Sequence, residues 1–175
     1  RDKKETALIL QDDCYWSEVG SLKKAIDDYH DLILQHNDFG ICYLGRAQVF
    51  DKAELPEKPY KNTEFLELEY SWCTHAFIVS DEACRDILSQ DIYTNMLPID
   101  EYMAICWGKS IYLRDNFAQY NENLAKTFKP VTKAISHKNY KLIFQGDETC
   151  LRGLGKSEFA DFTYSDIHNS GEYNG

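Results

Sequence analysis

The stretch TALILQDD, residues 6–13, is an apolar run that ends in two adjacent carboxylates. Such a run is typical of a strand buried on both faces, and ligands of open α/β sheets bind at the carboxyl ends of strands. Adjacent acids repel each other, so Asp12 and Asp13 need a compensating cation, and their oxygens suit Mg²⁺ or Mn²⁺ carrying a phosphate. The simpler interpretation of these eight residues is that one Asp caps the next helix while the other faces solvent.

The composition is that of one folded domain. The chain has 175 residues, of which 43% are hydrophobic and 14% aromatic, which is enough for one core and too little for two domains. The net charge of −10 argues against nucleic acid as a partner, and no apolar run is long enough to span a membrane. The six Cys form no Cys-x-x-Cys pair, which argues against zinc-ribbon and thioredoxin motifs. We therefore expect a single domain over residues 1–175, with no nucleic-acid partner and no membrane span.

A helix and a second strand are predicted after the acidic pair. Ser21 is placed to cap a helix whose apolar residues recur at helical spacing, namely Leu22, Ala25, Ile26, Tyr29, Leu32 and Ile33. The apolar stretch at residues 38–45 then predicts a second buried strand. A strand, a helix and a strand in this order predict a parallel crossover.

The middle of the chain predicts a loop, two strands and a short helix. Residues 47–64 carry two Pro and many charges without periodicity, which is typical of a long surface loop. Residues 66–70 and 74–79 have strand-like patterns, and Ser80 or Asp81 is placed to cap a short helix. Toward the end of the chain, residues 145–175 predict an irregular tail.

A second acidic pair begins another predicted helix. In the stretch NMLPIDEY, residues 95–102, Pro98 and the two acids suit a helix start. Successive helical residues point about 100° apart, so Asp100 and Glu101 cannot both face one site. We expect one of them to be functional and the other to cap the helix or face solvent.

Four short segments, in this order, resemble glycosyltransferase family 25. They are LQDD at residues 10–13, YLGR at 43–46, YSWCTHAF at 70–77 and MLPIDEY at 96–102. The resemblance is to the collagen hydroxylysine galactosyltransferases, with the lipooligosaccharide glycosyltransferases as further relatives. It covers residues 6–110 and, more weakly, SDIHNS at 165–170. It implies a GT-A-like, Rossmann-like α/β domain with a mostly parallel sheet flanked by helices, whose N-terminal strand and helix precede this chain.

The resemblance also implies a reaction. A metal-dependent, inverting enzyme of this kind moves a hexose, galactose or glucose, from a UDP-sugar to an acceptor hydroxyl, such as hydroxylysine in a collagen-like peptide or a glycan. The metal is Mn²⁺ or Mg²⁺, with Asp13 as the first implied ligand and Asp12, also near the diphosphate, as the second. Gln11 stands where the family has a further acid, and it can hydrogen-bond a ribose hydroxyl without adding charge.

The implied base is a carboxylate on the opposite side of the sugar from the diphosphate, where it removes the acceptor proton. Asp100 or Glu101 fits this role, with Asp100 preferred because the family keeps Pro-x-Asp-Glu there. The alternative for Asp100 is a helix-capping acid.

Further site residues follow with their alternatives. Trp72 stacks on the sugar or packs in the core, and Arg46 binds the diphosphate or pairs with a structural carboxylate. His75 is predicted to be packed or hydrogen-bonded rather than a ligand. In GT-A enzymes a C-terminal segment often folds over the site, and His168 or Asp166 is the implied metal ligand from that segment.

Two departures from the family leave other functions open. The opening strand and helix are absent, and LIFQGD at residues 142–147 replaces a Pro-Thr-His segment. A catalytically inactive, glycosyltransferase-like scaffold is therefore the alternative function. A metal phosphoesterase is a weaker one, because no His-rich ligand set accompanies the acids. The resemblance suggests the secretory pathway (the ER lumen) or a viral origin, although no targeting segment is visible.

Overall fold

The computed structural model describes residues 5–12, 14–16, 20–47, 58–68, 71–90, 99–108, 130–139 and 143–145. In these ranges the elements are, in chain order, β1 (Thr6–Leu10), β2 (Cys14–Trp16), α1 (Ser21–Gln35), β3 (Ile41–Ala47), β4 (Lys58–Pro59), β5 (Phe65–Glu67), β6 (Trp72–Ser80), α2 (Asp81–Ser89), α3 (Ile99–Trp107), β7 (Ala134–His137) and β8 (Ile143–Gln145). No helix in these ranges has the length and apolar character needed to span a membrane.

Six of the described strands form one sheet, in the order β1-β6-β3-β7-β5-β4, and β2 pairs with β8 in a separate ribbon. The predicted α/β class is confirmed. The expectation of a mostly parallel sheet is not, because among the described strands only the β3–β7 pairing is parallel and the other pairings are antiparallel. The apolar runs of β3 and β6 could not reveal this, because an antiparallel strand that is buried on both faces is as continuously apolar as a parallel one.

The predicted crossover from β1 through α1 to β3 is present in a modified form. Both strands are antiparallel to β6, so they run parallel to each other with β6 between them. β7 pairs with β3 in parallel, so it runs in the same direction as β3. The carboxyl ends of β1, β3 and β7 therefore lie along one edge of the sheet, which we call the carboxyl edge.

Helices cover both faces of the sheet, as predicted. On one face α1 packs on β3 and β6, and the buried residues there include Ala25, Tyr29, Leu32, Cys42, Leu44 and Ile78. On the other face α2 and α3 pack on the same strands, with Ile41, Tyr43, Phe77, Val79, Ile87 and Met103 among the buried residues. The alternation along β3 and β6 thus sends successive side chains into two separate cores.

The helix starts agree only in part with the sequence. The N-cap of α1 is Gly20, with φ of 91°, and Ser21 is instead a buried residue of the first turn. Glycine adopts this left-handed conformation without steric cost, so it can occupy the N-cap position although it has no side chain with which to cap the helix. The N-cap of α2 is Ser80, whose Oγ accepts from the Ala83 N–H at 3.1 Å, as predicted.

Two further expectations change, and a third lies almost wholly outside the described residues. β1 is the outermost described strand of its sheet, and its residues are exposed rather than buried on both faces, because the helices pack on β3 and β6 and neither core includes a residue of β1. The predicted loop at residues 47–64 contains the short strand β4, which pairs with β5. The expected tail lies outside the described residues apart from Gln145, which belongs to β8.

Candidate functional site

The acidic segment leaves the sheet at the carboxyl edge. The Gln11 N–H donates to the carbonyl of His75 at 2.9 Å, and the Cys14 N–H donates to the carbonyl of Gln11 at 3.1 Å. Asp12 lies in the turn that follows β1. Asp12 is exposed there, and Asp13 lies outside the described residues. Neither acid is the N-cap of the next helix, since that position is Gly20, so the capping interpretation of the pair is wrong.

Gln11 differs from its acidic neighbour in burial. Its Oε1 is shielded from solvent, and the described part of the chain gives this atom no hydrogen-bond partner. A buried amide oxygen without a donor is costly, and a hydroxyl of a bound molecule can supply the missing proton. The atom therefore fits the predicted contact with a ribose hydroxyl.

Asp100 reaches the same edge from α3. It stands in the first turn of that helix and accepts a hydrogen bond from Thr74 Oγ1 on β6 at 2.6 Å. Thr74 is buried and Asp100 is half-buried. An aspartate in a first helical turn also interacts favourably with the helix dipole. The position is therefore compatible both with a catalytic base and with a helix-capping acid. The side chain of Glu101 lies outside the described part of the molecule.

Two charged side chains, Asp100 and Arg46, act on the buried hydroxyl of Tyr43. Burial raises the pKa of Tyr43 above its ordinary value, the hydrogen bond from Trp107 lowers it, the Asp100 carboxylate raises it and Arg46 lowers it. The Trp107 Nε1–H donates to this hydroxyl at 3.3 Å. Asp100 and Arg46 therefore both lie within electrostatic range of this buried hydroxyl.

Arg46 is buried in spite of its charge. It is 4% exposed, and its Nε donates to Ser136 Oγ on β7 at 2.9 Å. Ser136 Oγ in turn donates to the carbonyl of His137 at 3.1 Å. This chain of bonds aligns the guanidinium with the parallel pair β3 and β7. A fixed guanidinium is suited to an anionic group such as a diphosphate.

His75 joins the β2–β8 ribbon to the sheet through a hydrogen bond. Its Nε2 lies 3.1 Å from the carbonyl oxygen of Ile143 on β8, and since the carbonyl can only accept, this nitrogen is the donor. The ring is 2% exposed, so His75 is packed and hydrogen-bonded, as predicted. Gly45 makes the approach possible, because a Cβ there would lie 2.4 Å from the Ile143 oxygen and 2.5 Å from His75 Nε2.

The remaining predicted residues are distributed as follows. The backbone of Trp72 begins β6 opposite Ala47, at the carboxyl edge, and its side chain is not described. Asp166 and His168 lie outside the described residues. Within the described ranges, no group of three or more His, Cys, Asp or Glu is arranged to hold a metal ion. The described residues by themselves therefore do not make the predicted Mn²⁺ or Mg²⁺ site, to which they contribute only Asp12.

Sequence reasoning missed four contributors, namely Gly45, Thr74, Ser136 and the backbone of Ile143. Thr74 and Gly45 lie inside the motifs at residues 70–77 and 43–46, so their type and position were visible. Their roles were not, because each depends on a neighbour that is far away in the chain.

The sequence was compared with curated proteins. Procollagen galactosyltransferase 1-B of Xenopus laevis is 27% identical over 106 residues, which are 60% of this chain and 17% of that protein. Procollagen galactosyltransferase 2 of mouse is 27% identical over 106 residues, and that of human over 107, in each case 60% of this chain and 16% of the relative. The chain is related to the procollagen galactosyltransferases. The resemblance based on four motifs is thereby confirmed.

The aligned stretch spans about a sixth of each procollagen galactosyltransferase, so these relatives are far longer than the region they share with this chain. No protein-family model matches the sequence, and no solved structure matches it.

Proposed function

We propose that this chain is part of a GT-A-like, inverting glycosyltransferase that moves galactose or glucose from a UDP-sugar to a hydroxyl, with hydroxylysine of a collagen-like peptide or a glycan as acceptor. The names of the relatives support a galactosyltransferase and a collagen-like acceptor. The observation that carries the proposal is the carboxyl edge, where Asp12, Arg46 and the Thr74-bound Asp100 come from separate segments of the chain.

The donor is held by the residues around β1 and β3. Gln11 accepts a hydrogen bond from a ribose hydroxyl, which satisfies its buried Oε1. Arg46 pairs with the diphosphate, and Trp72 stacks on the sugar. Asp12 and Asp13 would hold Mn²⁺ or Mg²⁺, together with Asp166 or His168. When bound, the metal neutralises charge on the diphosphate leaving group.

Asp100 acts on the acceptor. Its carboxylate takes the proton of the acceptor hydroxyl as that oxygen attacks the anomeric carbon, while the bond from this carbon to the diphosphate oxygen breaks on the opposite face. Attack from the face opposite to the leaving group inverts the anomeric configuration. Arg46 stabilises the negative charge that the diphosphate gains.

Paired variants of the full-length protein test this assignment. Asp100→Asn keeps the shape of the side chain but removes the base, so we expect at least about a hundredfold loss of transfer with UDP-sugar binding retained. Asp13→Ala is expected to abolish Mn²⁺-dependent UDP binding in calorimetry. Transfer and Mn²⁺-dependent donor hydrolysis that survive Asp13→Ala unchanged would contradict the mechanism.

The alternative is a glycosyltransferase-like scaffold without activity. Gln11 favours it, because an uncharged side chain replaces a family acid beside the proposed metal ligands. Calorimetry with UDP and Mn²⁺ separates the two functions. Metal-dependent binding of UDP argues for the enzyme, whereas no binding by the full-length protein argues for the scaffold.

A further inference from the structure

Thr74 makes a short hydrogen bond to the proposed base. Its Oγ1 donates to Asp100 Oδ1 at 2.6 Å, across a separation of 26 residues in the chain. This length is typical of a hydroxyl that donates to an ionised carboxylate. Because the hydroxyl donates to the carboxyl oxygen, the bond favours the charged form of Asp100, which is the form that a base needs.

The hydroxyl is held rigidly. Thr74 lies in β6, which has β1 on one side and β3 on the other, and the strand is buried from Thr74 to Ser80. A β-branched side chain in a strand has few available rotamers, so the direction of its Oγ follows from the backbone. Asp100, by contrast, is half-buried in the first turn of α3.

We propose that Thr74 is a positioning residue for catalysis, which orients the Asp100 carboxylate and keeps it ionised for removal of the acceptor proton. This inference rests on the proposed function, and it adds a residue that acts through the base without touching substrate. Tyr43, on which the Asp100 carboxylate acts, is neutral at ordinary pH because burial raises its pKa. The hydroxyl of Thr74 donates to the carboxylate and so favours its charged form.

The experiment compares Thr74→Val with Thr74→Ser in the full-length protein. Valine keeps the shape of threonine but removes the hydroxyl, whereas serine keeps the hydroxyl and removes the methyl. We expect Thr74→Val to lower kcat at least about tenfold, with little change in KM for the UDP-sugar, and Thr74→Ser to retain most of the activity. A residue that only packs would give the reverse order, with Ser the more damaging change.

The pH dependence of kcat supplies a second readout. A hydrogen bond to the carboxylate lowers its pKa, so its removal raises the pKa of Asp100. The acidic limb of the Thr74→Val profile is then expected at higher pH than that of the wild type and of Thr74→Ser. An unshifted limb together with an unchanged kcat would overturn the inference.

Two controls keep the outcomes separable. Full activity of Asp100→Asn would refute the base itself, whereas an inactive Asp100→Asn beside an unimpaired Thr74→Val would refute only the role of Thr74. In the Asp100→Asn background, Thr74→Val is expected to cause no further loss, because the two residues act as one unit. If Thr74→Val does not fold, the comparison is made with Thr74→Ala, which also lacks the hydroxyl, and the same kinetic criteria apply.

Discussion

At Gly45 the main chain of β3 comes so close to β8 that a side chain has no room. The two atoms nearest to a Cβ at this position would be the Ile143 carbonyl oxygen and the His75 Nε2, which are themselves hydrogen-bonded to each other. A methyl group here must displace both. The requirement for glycine is therefore steric, and it protects the contact between the main sheet and the β2–β8 ribbon.

We predict that Gly45→Ala lowers the free energy of unfolding by about 1–3 kcal/mol, because overpacking forces the ribbon away from the sheet. His75→Ala removes one of the two clashing groups, so the double variant should be more stable than the sum of the single effects predicts. Urea denaturation of the three variants measures this coupling.

Gly20→Ala is the matched control. A Cβ at Gly20 meets no atom within 4 Å, and the cost of about 1–2 kcal/mol arises only from the positive φ. Its effect should therefore add to that of His75→Ala without coupling. If the effect of Gly45→Ala also adds to that of His75→Ala without coupling, the steric explanation is contradicted.

At the scale of elements, α1 is joined to β7 through a buried histidine. His137 is 1% exposed, its Nε2 donates to Asp28 Oδ2 at 2.9 Å, and its Nδ1 accepts from the Asn139 N–H at 3.0 Å. Both ring nitrogens are thus used, and this arrangement defines the neutral tautomer with its proton on Nε2. Lys24 completes the group with an ion pair to Asp28 at 2.5 Å.

Removal of the Asp28 carboxylate is expected to destabilise the protein. Asp28→Ala takes away the acceptor of a buried donor, which costs about 1–3 kcal/mol. Asp27→Ala on the same helix removes only an exposed ion pair with Lys23, which is worth about 0.5 kcal/mol or less. Urea denaturation at pH 7 compares the two variants, and equal losses would contradict the role given to His137.

The same pair has a defined pH dependence. Burial raises the pKa of Asp28, but hydrogen bonds from Lys24 and His137 outweigh it, so the net pKa is lowered. A lowered pKa stabilises the folded state above the unfolded value of about 4, and this contribution is lost as the pH falls through the folded value. The difference between Asp28→Ala and wild type should therefore shrink when the measurement is repeated at pH 3.

The sequence predicts some of the helices and strands but not others. Helix α1 was predictable because Ala25, Tyr29 and Leu32 repeat at helical spacing, and β3 and β6 because their apolar runs are long. The ribbon strands β2 and β8 were not, since three residues carry no period. Strand order also escaped prediction, because it depends on which edges meet rather than on any local pattern.

For the candidate site, the sequence likewise predicts some of the residues but not the contacts between them. Asp12, Arg46 and Asp100 lie in the motifs that carry the family resemblance, and for this reason the resemblance assigned them to one site. The bonds from Thr74 to Asp100 and from Arg46 to Ser136 join residues 26 and 90 positions apart. Partners at such distances follow only from the completed topology.

At the scale of the whole molecule, β1 exposes apolar residues on both faces. Leu8, Ile9 and Leu10 are each 40% exposed, and among the described strands only β6 pairs with β1. Leu8 stands opposite Ile78 in the α1-side core, whereas Ile9 stands opposite Phe77 in the other core. An apolar outer strand of this kind is a template for pairing with another chain.

We predict that the 175-residue chain self-associates through β1, and that Ile9→Lys weakens this association because a charged side chain disfavours strand addition. Sedimentation velocity over a range of concentrations measures it. Leu34→Lys is the control, since Leu34 is 76% exposed but lies on helix α1, which offers no unpaired strand edge. A monomeric wild type at every concentration, or equal effects of the two variants, would contradict the prediction.

The position of β7 has a consequence for the order in which the nascent chain can fold. β7 lies between β3 and β5, although it comes from residues 134–137 and they come from the first 67. Once β6 has been synthesised, β1, β6 and β3 can pair, but β5 and β4 have no described route to them until β7 arrives. Until β7 has been synthesised, a half-sheet of β1, β6 and β3 therefore has an open β3 edge, and we expect this edge to need protection from pairing with other chains.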